Sequence, residues 1–156
     1  MIIREAKQKD LFQIIDLVIL AKAISPYKDI PSDKDAMSGV IRRLISNQLS
    51  CVLVAELDGK LYGIVMGEAV ELWYSNSKRC ADPAIFYCID QSAGSDLIKE
   101  YLRWAWSIRS VAEVTFSVAS QYDPTLKEDT FHSAGLSESG QTWIAVRAQE
   151  RDYGVA

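Results

Sequence analysis

Residues 51–71 read CVLVAELDGKLYGIVMGEAVE and contain the pattern that decides the fold. Residues 51–56 form a run of apolar and β-branched side chains, and residues 61–71 form a second run of similar character. Between them stands Asp58-Gly59, a dipeptide that favours two-residue hairpin turns because both residues tolerate a positive φ. The pattern therefore predicts two antiparallel strands joined by a tight turn.

The segments on either side of this hairpin alternate between strand and helix patterns. Further strands are predicted at residues 2–4, 84–89, 113–119 and 141–147, and helices at residues 10–23, 32–47, 95–108 and 124–133. Ser32 and Ser95 are the expected N-caps, and Gly135 is the expected helix stop. The polar residues 75–79 are expected to connect the hairpin to the strand that Asp82-Pro83 introduces.

The element order that results is βααβββαβαβ, which is an α/β (α+β) fold with a mixed sheet. A helix of about a dozen residues connects the fourth and fifth strands, so these two strands are predicted to be parallel. We also expect the chain between residues 89 and 97 to turn from strand to helix, with Gly94 at or next to the helix start.

The composition predicts a single folded domain. The chain has 156 residues, of which 49% are hydrophobic and 24% are charged, as in ordinary globular domains. We expect residues 1–149 to form this domain and residues 150–156 to be a loosely held tail.

Charge and cysteine content exclude several classes of function. Seventeen Lys and Arg residues face 21 Asp and Glu residues, and a net charge of −4 disfavours nucleic acid as a partner. No apolar run reaches the roughly 18 residues of a membrane span, and the N-terminus has no basic leader, so we expect a cytoplasmic protein with no membrane partner. Three cysteines and one histidine lack the spacing of a zinc site, so no metal is expected.

Several short fragments occur in an order that carries a resemblance to a known family. They are Ser25-Pro26-Tyr27, Val54-Ala55-Glu56 before Asp58-Gly59, Gly63 with Gly67, Trp73-Tyr74-Ser75, Leu97-Ile98-Lys99 with Trp104-Ala105, and Asp123-Pro124 before Ala134-Gly135-Leu136. Together with the element order, they resemble the GCN5-related N-acetyltransferase (GNAT) superfamily, in particular a branch common in bacteriophage genomes.

The resemblance implies a GNAT-like sheet in which strands four and five are parallel and splayed. The pantetheine arm of acetyl-CoA would lie against the fourth strand, with the acceptor amine on the other side. The cofactor-binding positions that this implies share the fourth strand and the loop after it, and they are Phe86, Tyr87, Cys88, Ile89, Ser92, Ala93, Gly94 and Ser95.

The loop after the fourth strand departs from the family pattern. In the family, an Arg or Gln, two further residues, a Gly, one residue and a Gly or Ala bind the pyrophosphate at a helix N-terminus. An ungapped count places Ile89 at the Arg position and Ser92 and Gly94 at the two glycine positions, while a count from Gln91 leaves the loop about two residues short. Asp90 and Asp96 flank the loop and repel an anion. We therefore expect an acetyl-CoA dissociation constant of about 0.1 mM or weaker, or no binding.

The catalytic residues are less well marked than the loop. The family's tyrosine acid falls on Phe131, which has no proton to give, so Tyr122 or Tyr87 would have to replace it, and we assign Tyr122. A carboxylate base could be Glu68, Glu71 or Asp82, and we favour Glu71 because it lies near the strand end closest to the expected cleft.

Two functions from different classes fit these residues. The first is acetyl-CoA-dependent N-acetyl transfer to a small amine or a protein amine. The second is a catalytically degenerate protein of the same fold that binds a protein partner, as a phage-encoded virion component or a factor that binds a host protein; it would then lie in the virion or the host cytoplasm. The sequence does not indicate an oligomeric state.

Overall fold

The computed structural model of the chain describes residues 1–116 and 128–137. Its strands are β1 (Ile2–Glu5), β2 (Ser50–Leu57), β3 (Lys60–Leu72), β4 (Ser75–Cys88) and β5 (Val111–Val114). Its helices are α1 (Leu11–Ala23), α2 (Lys34–Ser46), α3 (Gly94–Ser107) and α4 (Glu128–Ser133). The predicted strand at residues 141–147 and the tail at residues 150–156 lie outside the described residues.

The described strands form one mixed sheet in the order β1-β2-β3-β4-β5. The first four strands pair antiparallel with their neighbours, and β4 pairs with β5 in parallel. The predicted mixed α/β fold and the parallel arrangement of β4 and β5 are therefore confirmed. Asp58 and Gly59 both have a positive φ, of 51° and 80°, as the predicted turn between β2 and β3 requires.

Helices cover both faces of the sheet. On one face α1 and α2 pack against the strands through side chains that include Ile14, Ile41 and Ile64. On the other face α3 packs through Leu97 and Tyr101, both of which are fully buried. Each face therefore has its own apolar core, and the sheet separates the two.

Four predicted boundaries are wrong. Residues 75–79 are not a connection, because β4 already begins at Ser75 and pairs with the end of β3, so Asp82-Pro83 lies inside the strand. The cap of α2 is Asp33 rather than Ser32, since the Asp33 carboxylate accepts from the amides of Asp35 and Ala36. Ser95 does not cap α3, which begins at Gly94, and β5 begins at Val111 rather than at residue 113.

Candidate active site

The candidate site is an opening between β4 and β5. The two strands pair only where Arg79, Cys80 and Ala81 meet residues 111–114, and one further bond runs from the Thr115 amide to the Ala81 carbonyl oxygen at 3.1 Å. β4 then continues to Cys88, whereas the described part of β5 ends at Val114. We call the space beside residues 82–88 of β4 the β4–β5 opening, and the end of it at Ala81 and Asp82 its apex.

A β-bulge at the apex changes which backbone groups of β4 face this opening. The register of β3 and β4 shifts from Met66 opposite Ile85 to Gly67 opposite Pro83, so Ala84 is the extra residue. Beyond the bulge the Ile89 amide donates to the Tyr62 carbonyl oxygen of β3 at 2.7 Å. Since backbone groups alternate along a strand, those of Phe86 and Cys88 face away from β3, towards the opening.

The loop after β4 satisfies two of its own amides. A 3-10 turn, Gln91–Ala93, leads directly into α3, so the predicted position of Gly94 at the helix start is confirmed. The Ser92 amide donates to the Asp90 carboxylate at 2.9 Å, and the Ala93 amide donates to the Asp90 carbonyl oxygen at 3.2 Å. The hydrogen bond from Ser92 lowers the pKa of Asp90, so this carboxylate is ionised at neutral pH.

Only part of acetyl-CoA fits the residues at this site. The outward-facing backbone of β4 suits the amide-rich pantetheine arm. The loop does not suit the pyrophosphate, because Asp90 holds an amide that an incoming anion would need and adds a negative charge beside it. Residues 81–98 also contain no Lys or Arg to meet that anion.

Three phenylalanine rings pack together where β4, β5 and α4 meet. The centroid of Phe131 lies 5.9 Å from that of Phe86 and 5.7 Å from that of Phe116, and Phe86 and Phe116 are 6.0 Å apart. Phe131, which the family resemblance placed at the tyrosine-acid position, is a packing residue in the structure. Tyr122 lies outside the described residues, and Tyr87 packs on the opposite face, against the core of α1 and α2.

The three carboxylates considered as bases lie in different surroundings. Two guanidinium nitrogens of Arg43 bind Glu68 at 2.7 Å each, and the hydrogen bond lowers the pKa of Glu68, which makes it a weak base. Glu71 is exposed and pairs with Arg79 at 3.1 Å, on the side of the apex where β4 and β5 are still paired. Asp82 stands at the apex itself, where its carboxylate accepts from the Thr115 hydroxyl at 3.1 Å. Glu71 as the base and Tyr122 as the acid stay predictions.

Sequence reasoning missed one polar group at the apex, the hydroxyl of Tyr101. The helical spacing of α3 places Tyr101 on the inner face, and the residue is fully buried as expected. Its hydroxyl nevertheless has no hydrogen-bond partner in the part of the chain that the structure describes. No pattern in the sequence marks this, because the missing partner depends on what three separate elements place around the ring.

A second feature lies on the opposite face of the sheet. A groove of about 340 Å³ runs between α1 and α2, and its lining is mostly apolar. Val18, Met37 and Met66 form its walls, and the ammonium of Lys22 at its rim donates to the Ile30 carbonyl oxygen of the loop between the two helices. The loop is thereby fastened across one end of the groove.

Two absences bear on the class of site. Within residues 1–116 and 128–137, no three His, Cys, Asp or Glu side chains lie close enough together to hold a metal ion. No helix in the same ranges is long and apolar enough to cross a membrane.

Comparison with known proteins gives matches by structure and none by sequence. No protein-family model and no curated protein matches the chain. An aminoglycoside acetyltransferase from an uncultured soil metagenomic sample, solved with sisomicin, has a TM-score of 0.67 at 21% identity, covering 96% of each chain. Glucosamine-6-phosphate N-acetyltransferase from Arabidopsis thaliana has a TM-score of 0.71 at 10% identity, covering 93% of this chain and 97% of that one.

A third similar structure is ribosomal-protein-alanine N-acetyltransferase from Brucella melitensis biovar Abortus 2308. Its TM-score is 0.66 at 13% identity, and the match covers 95% of this chain and all of that one. Identities this low speak for the fold alone. The chain therefore has the fold of the GNAT acetyltransferases.

Proposed function

We propose that this protein is an N-acyltransferase that takes the acetyl group from acetyl-CoA and binds this donor weakly. The observation that carries the proposal is the β4–β5 opening, where the bulge at Ala84 turns the backbone of Phe86 and Cys88 away from β3. A bulge interrupts the ladder of hydrogen bonds between two strands and so costs stability, and a site that uses the bulge accounts for its presence.

The reaction joins an amine to the acetyl group and releases a thiol. The bond from nitrogen to the acetyl carbon forms, the bond from that carbon to sulfur breaks, one proton leaves the amine, and one proton ends on the sulfur. The chain must therefore supply a base near the amine and stabilise the charge that develops on oxygen and sulfur. Glu71 is our proposed base and Tyr122 our proposed acid, and Asp82 competes with Glu71 because it lies at the apex.

We assign the acceptor amine to the face of the sheet that carries α1 and α2. The groove between these helices has apolar walls of Val18, Met37 and Met66, and unbranched methionine side chains adapt to ligands of different shape. A small amine with an apolar body, or an amine on a protein side chain or terminus, suits such walls better than a highly charged sugar does.

The first experiment is isothermal titration of the purified protein with acetyl-CoA and, separately, with coenzyme A. We expect a dissociation constant of about 0.1 mM or weaker for acetyl-CoA, which corresponds to at most roughly 5.5 kcal/mol of binding. Trp73→Ala is the matched control, because this exposed residue lies in the turn between β3 and β4, outside the opening. No detectable binding up to about 1 mM would refute the proposal, since a donor that weak contributes less than roughly 4.1 kcal/mol.

The second experiment tests the acceptor and the base. Thiol release from acetyl-CoA is followed with a panel that holds sisomicin, glucosamine 6-phosphate and a peptide with an N-terminal alanine, the three amine types that the names of the similar structures suggest. Glu71→Gln and Asp82→Asn are compared with the wild type at several pH values. The base is whichever carboxylate, once neutralised, removes the acidic limb of the rate profile.

A second candidate function is a binding protein of the same fold without turnover. Trp73 is 93% exposed and Tyr74 is 63% exposed in the turn between β3 and β4, and large aromatic side chains are enriched where proteins bind proteins. Asp90 in the loop and Phe131 in the ring cluster agree with this interpretation. Such a protein would be a phage virion component or a phage factor that binds a host protein.

The two candidates differ in one measurable respect. A binding protein shows no acetyl-CoA affinity even when the loop is repaired, for example with Asp90→Asn, because nothing keeps the opening suited to the donor. An acyltransferase with a weakened loop recovers affinity in that variant.

A further inference from the structure

Tyr101 of α3 carries a buried hydroxyl that the fold does not satisfy. The residue has no exposed surface, and its hydroxyl has no hydrogen-bond partner among residues 1–116 and 128–137. An unsatisfied buried hydroxyl costs about 1–3 kcal/mol relative to one with a partner. Phenylalanine would fill the same space without that cost, because the rings that pack against Tyr101, those of Trp104 and Phe116, contact its ring and not its hydroxyl.

The hydroxyl lies over the β3–β4 pair on the α3 face of the sheet, next to the apex of the β4–β5 opening. A Cβ atom added to Gly67 would be 2.5 Å from the Tyr101 hydroxyl, 2.3 Å from the Asp82 carbonyl oxygen and 2.7 Å from the Pro83 Cα atom. These three atoms therefore surround one small space, directly over the bulge. Asp82 is the first residue of β4 beyond its last pair with β5, so the hydroxyl lies on the α3 side of the sheet, level with the point where β4 and β5 begin to separate.

The surroundings keep this hydroxyl protonated. Burial raises the pKa of Tyr101 well above the ordinary value of tyrosine, and the nearby Cys51, Asp82 and Cys80 add to the effect. A neutral phenol in a buried site is a hydrogen-bond donor whose strength grows as negative charge develops on its acceptor. Donation, rather than transfer of the proton, is the chemistry open to it.

We propose that the Tyr101 hydroxyl donates a hydrogen bond to the carbonyl oxygen of the bound acetyl group. This inference rests on the proposed function and adds a catalytic residue to it. As the amine nitrogen bonds to the acetyl carbon, the carbonyl electrons move to that oxygen, and the hydroxyl stabilises the charge without losing its proton. Because Tyr101 is fully buried, neighbouring side chains must move for the acetyl group to reach it.

Tyr101→Phe tests this directly, since it removes only the oxygen. We expect acetyl-CoA to bind the variant about three- to tenfold more weakly, the range that one neutral hydrogen bond contributes. Coenzyme A, which has no acetyl oxygen, should bind wild type and variant equally. With any amine that the panel accepts, we expect a rate about a hundredfold lower, as for loss of one donor to a developing oxyanion. Tyr62→Phe on β3 is the matched control and should change none of these values.

A readout that needs no acceptor is the spectrum of the protein labelled with carbon-13 at the tyrosine Cζ position. The chain has seven tyrosines, and the resonance missing from Tyr101→Phe identifies Tyr101. We expect acetyl-CoA to shift that resonance and coenzyme A to leave it in place. The urea midpoint of Tyr101→Phe should equal or exceed that of the wild type, because the variant loses an unsatisfied hydroxyl.

Each other outcome has a distinct meaning. If the wild type binds acetyl-CoA but neither the resonance nor the affinity depends on Tyr101, this inference is wrong and the proposed function stands. If the urea midpoint of Tyr101→Phe falls, the hydroxyl holds a buried water or another structural partner, and the inference is again wrong. If the wild type binds neither acetyl-CoA nor coenzyme A, the proposed function fails, and this inference fails with it.

Discussion

Replacement of Gly67 by alanine should destabilise the protein more than most single-methyl additions do. The added Cβ would lie 2.3 Å from the Asp82 carbonyl oxygen and 2.7 Å from the Pro83 Cα atom, and both of these atoms belong to the backbone. Side chains can rotate away from a new methyl group, but the backbone of β4 cannot do so freely, because Asp82 and Pro83 are held in register with Glu68 and Gly67 of β3. Overpacked sites cost about 1–3 kcal/mol, and contacts this short with backbone place Gly67→Ala at the upper end, near 3 kcal/mol.

The chain offers a matched control of opposite sign. Gly39 is exposed on α2, and a Cβ added there meets nothing within 4 Å. Alanine is the better helix former, so Gly39→Ala should stabilise the protein by about 0.5–1 kcal/mol. Urea unfolding followed by circular dichroism measures both variants against the wild type.

A double variant tests how the apex is packed. Adding Tyr101→Phe to Gly67→Ala removes the contact of 2.5 Å with the hydroxyl but neither backbone contact, so we expect less than half of the lost stability to return. If the free energy of unfolding of Gly67→Ala lies within about 1 kcal/mol of the wild-type value, the change costs less than overpacking usually does. The backbone of β4 must then move at the bulge to make room for the methyl group. The close packing that we ascribe to the apex would then be incorrect.

Three further predictions concern charge and the loop. Arg4 binds the buried carboxylate of Asp10 at 2.7 and 3.0 Å and thereby lowers the pKa of Asp10 below the ordinary 3.8. The ion pair therefore stabilises the protein fully above pH 3.8, and this stability is lost as the pH falls through the lower pKa of the folded state. Asp10→Asn should weaken the acid dependence of the urea midpoint and cost about 2 kcal/mol of unfolding free energy at neutral pH. Asp90→Asn and Asp96→Asn should each tighten acetyl-CoA binding in titrations at low salt, and high salt should reduce the difference, whereas unchanged affinity would mean that the loop does not contact the pyrophosphate. Phe131→Tyr should raise the rate of thiol release with little change in affinity, and an unchanged rate would show that position 131 only packs.

The elements that the sequence predicted well are those with local causes. The turn at Asp58-Gly59 follows from the positive φ that these two residues tolerate. The helices α1 and α3 follow from the spacing of their own apolar residues. Residues 75–79 were wrongly predicted because they are polar and mostly exposed, while their strand conformation comes from pairing with the end of β3 and with Val111 of β5. That pairing is a long-range property, which local composition does not contain.

The features of the candidate site also divide into those with local causes and those that depend on distant residues. The place of the loop and of Gly94 followed from strand and helix patterns, and so did the missing basic residue. The hydrogen bond from the Ser92 amide to Asp90, the pairing of Glu71 with Arg79, and the orphan hydroxyl of Tyr101 depend on side-chain positions that spacing does not determine. Glu71 looked well placed from its position near a strand end, yet it lies beyond the apex, where β4 and β5 are still paired.

The loop after β4 and the apex of the β4–β5 opening, which would bind opposite ends of acetyl-CoA, differ in what they cost the protein in stability. This difference favours the acyltransferase over the binding protein. The bond between Asp90 and the Ser92 amide stabilises the loop of the protein by itself, so it needs no ligand to explain it. The bulge at Ala84 and the orphan hydroxyl of Tyr101 both cost stability without a ligand. A fold used only as a binding scaffold gains nothing from these two features, whereas a site that holds an acetyl group gains from both of them. If Tyr101→Phe proves more stable than the wild type and also binds acetyl-CoA more weakly, the hydroxyl lowers stability but strengthens acetyl-CoA binding. The binding-protein hypothesis does not predict this result.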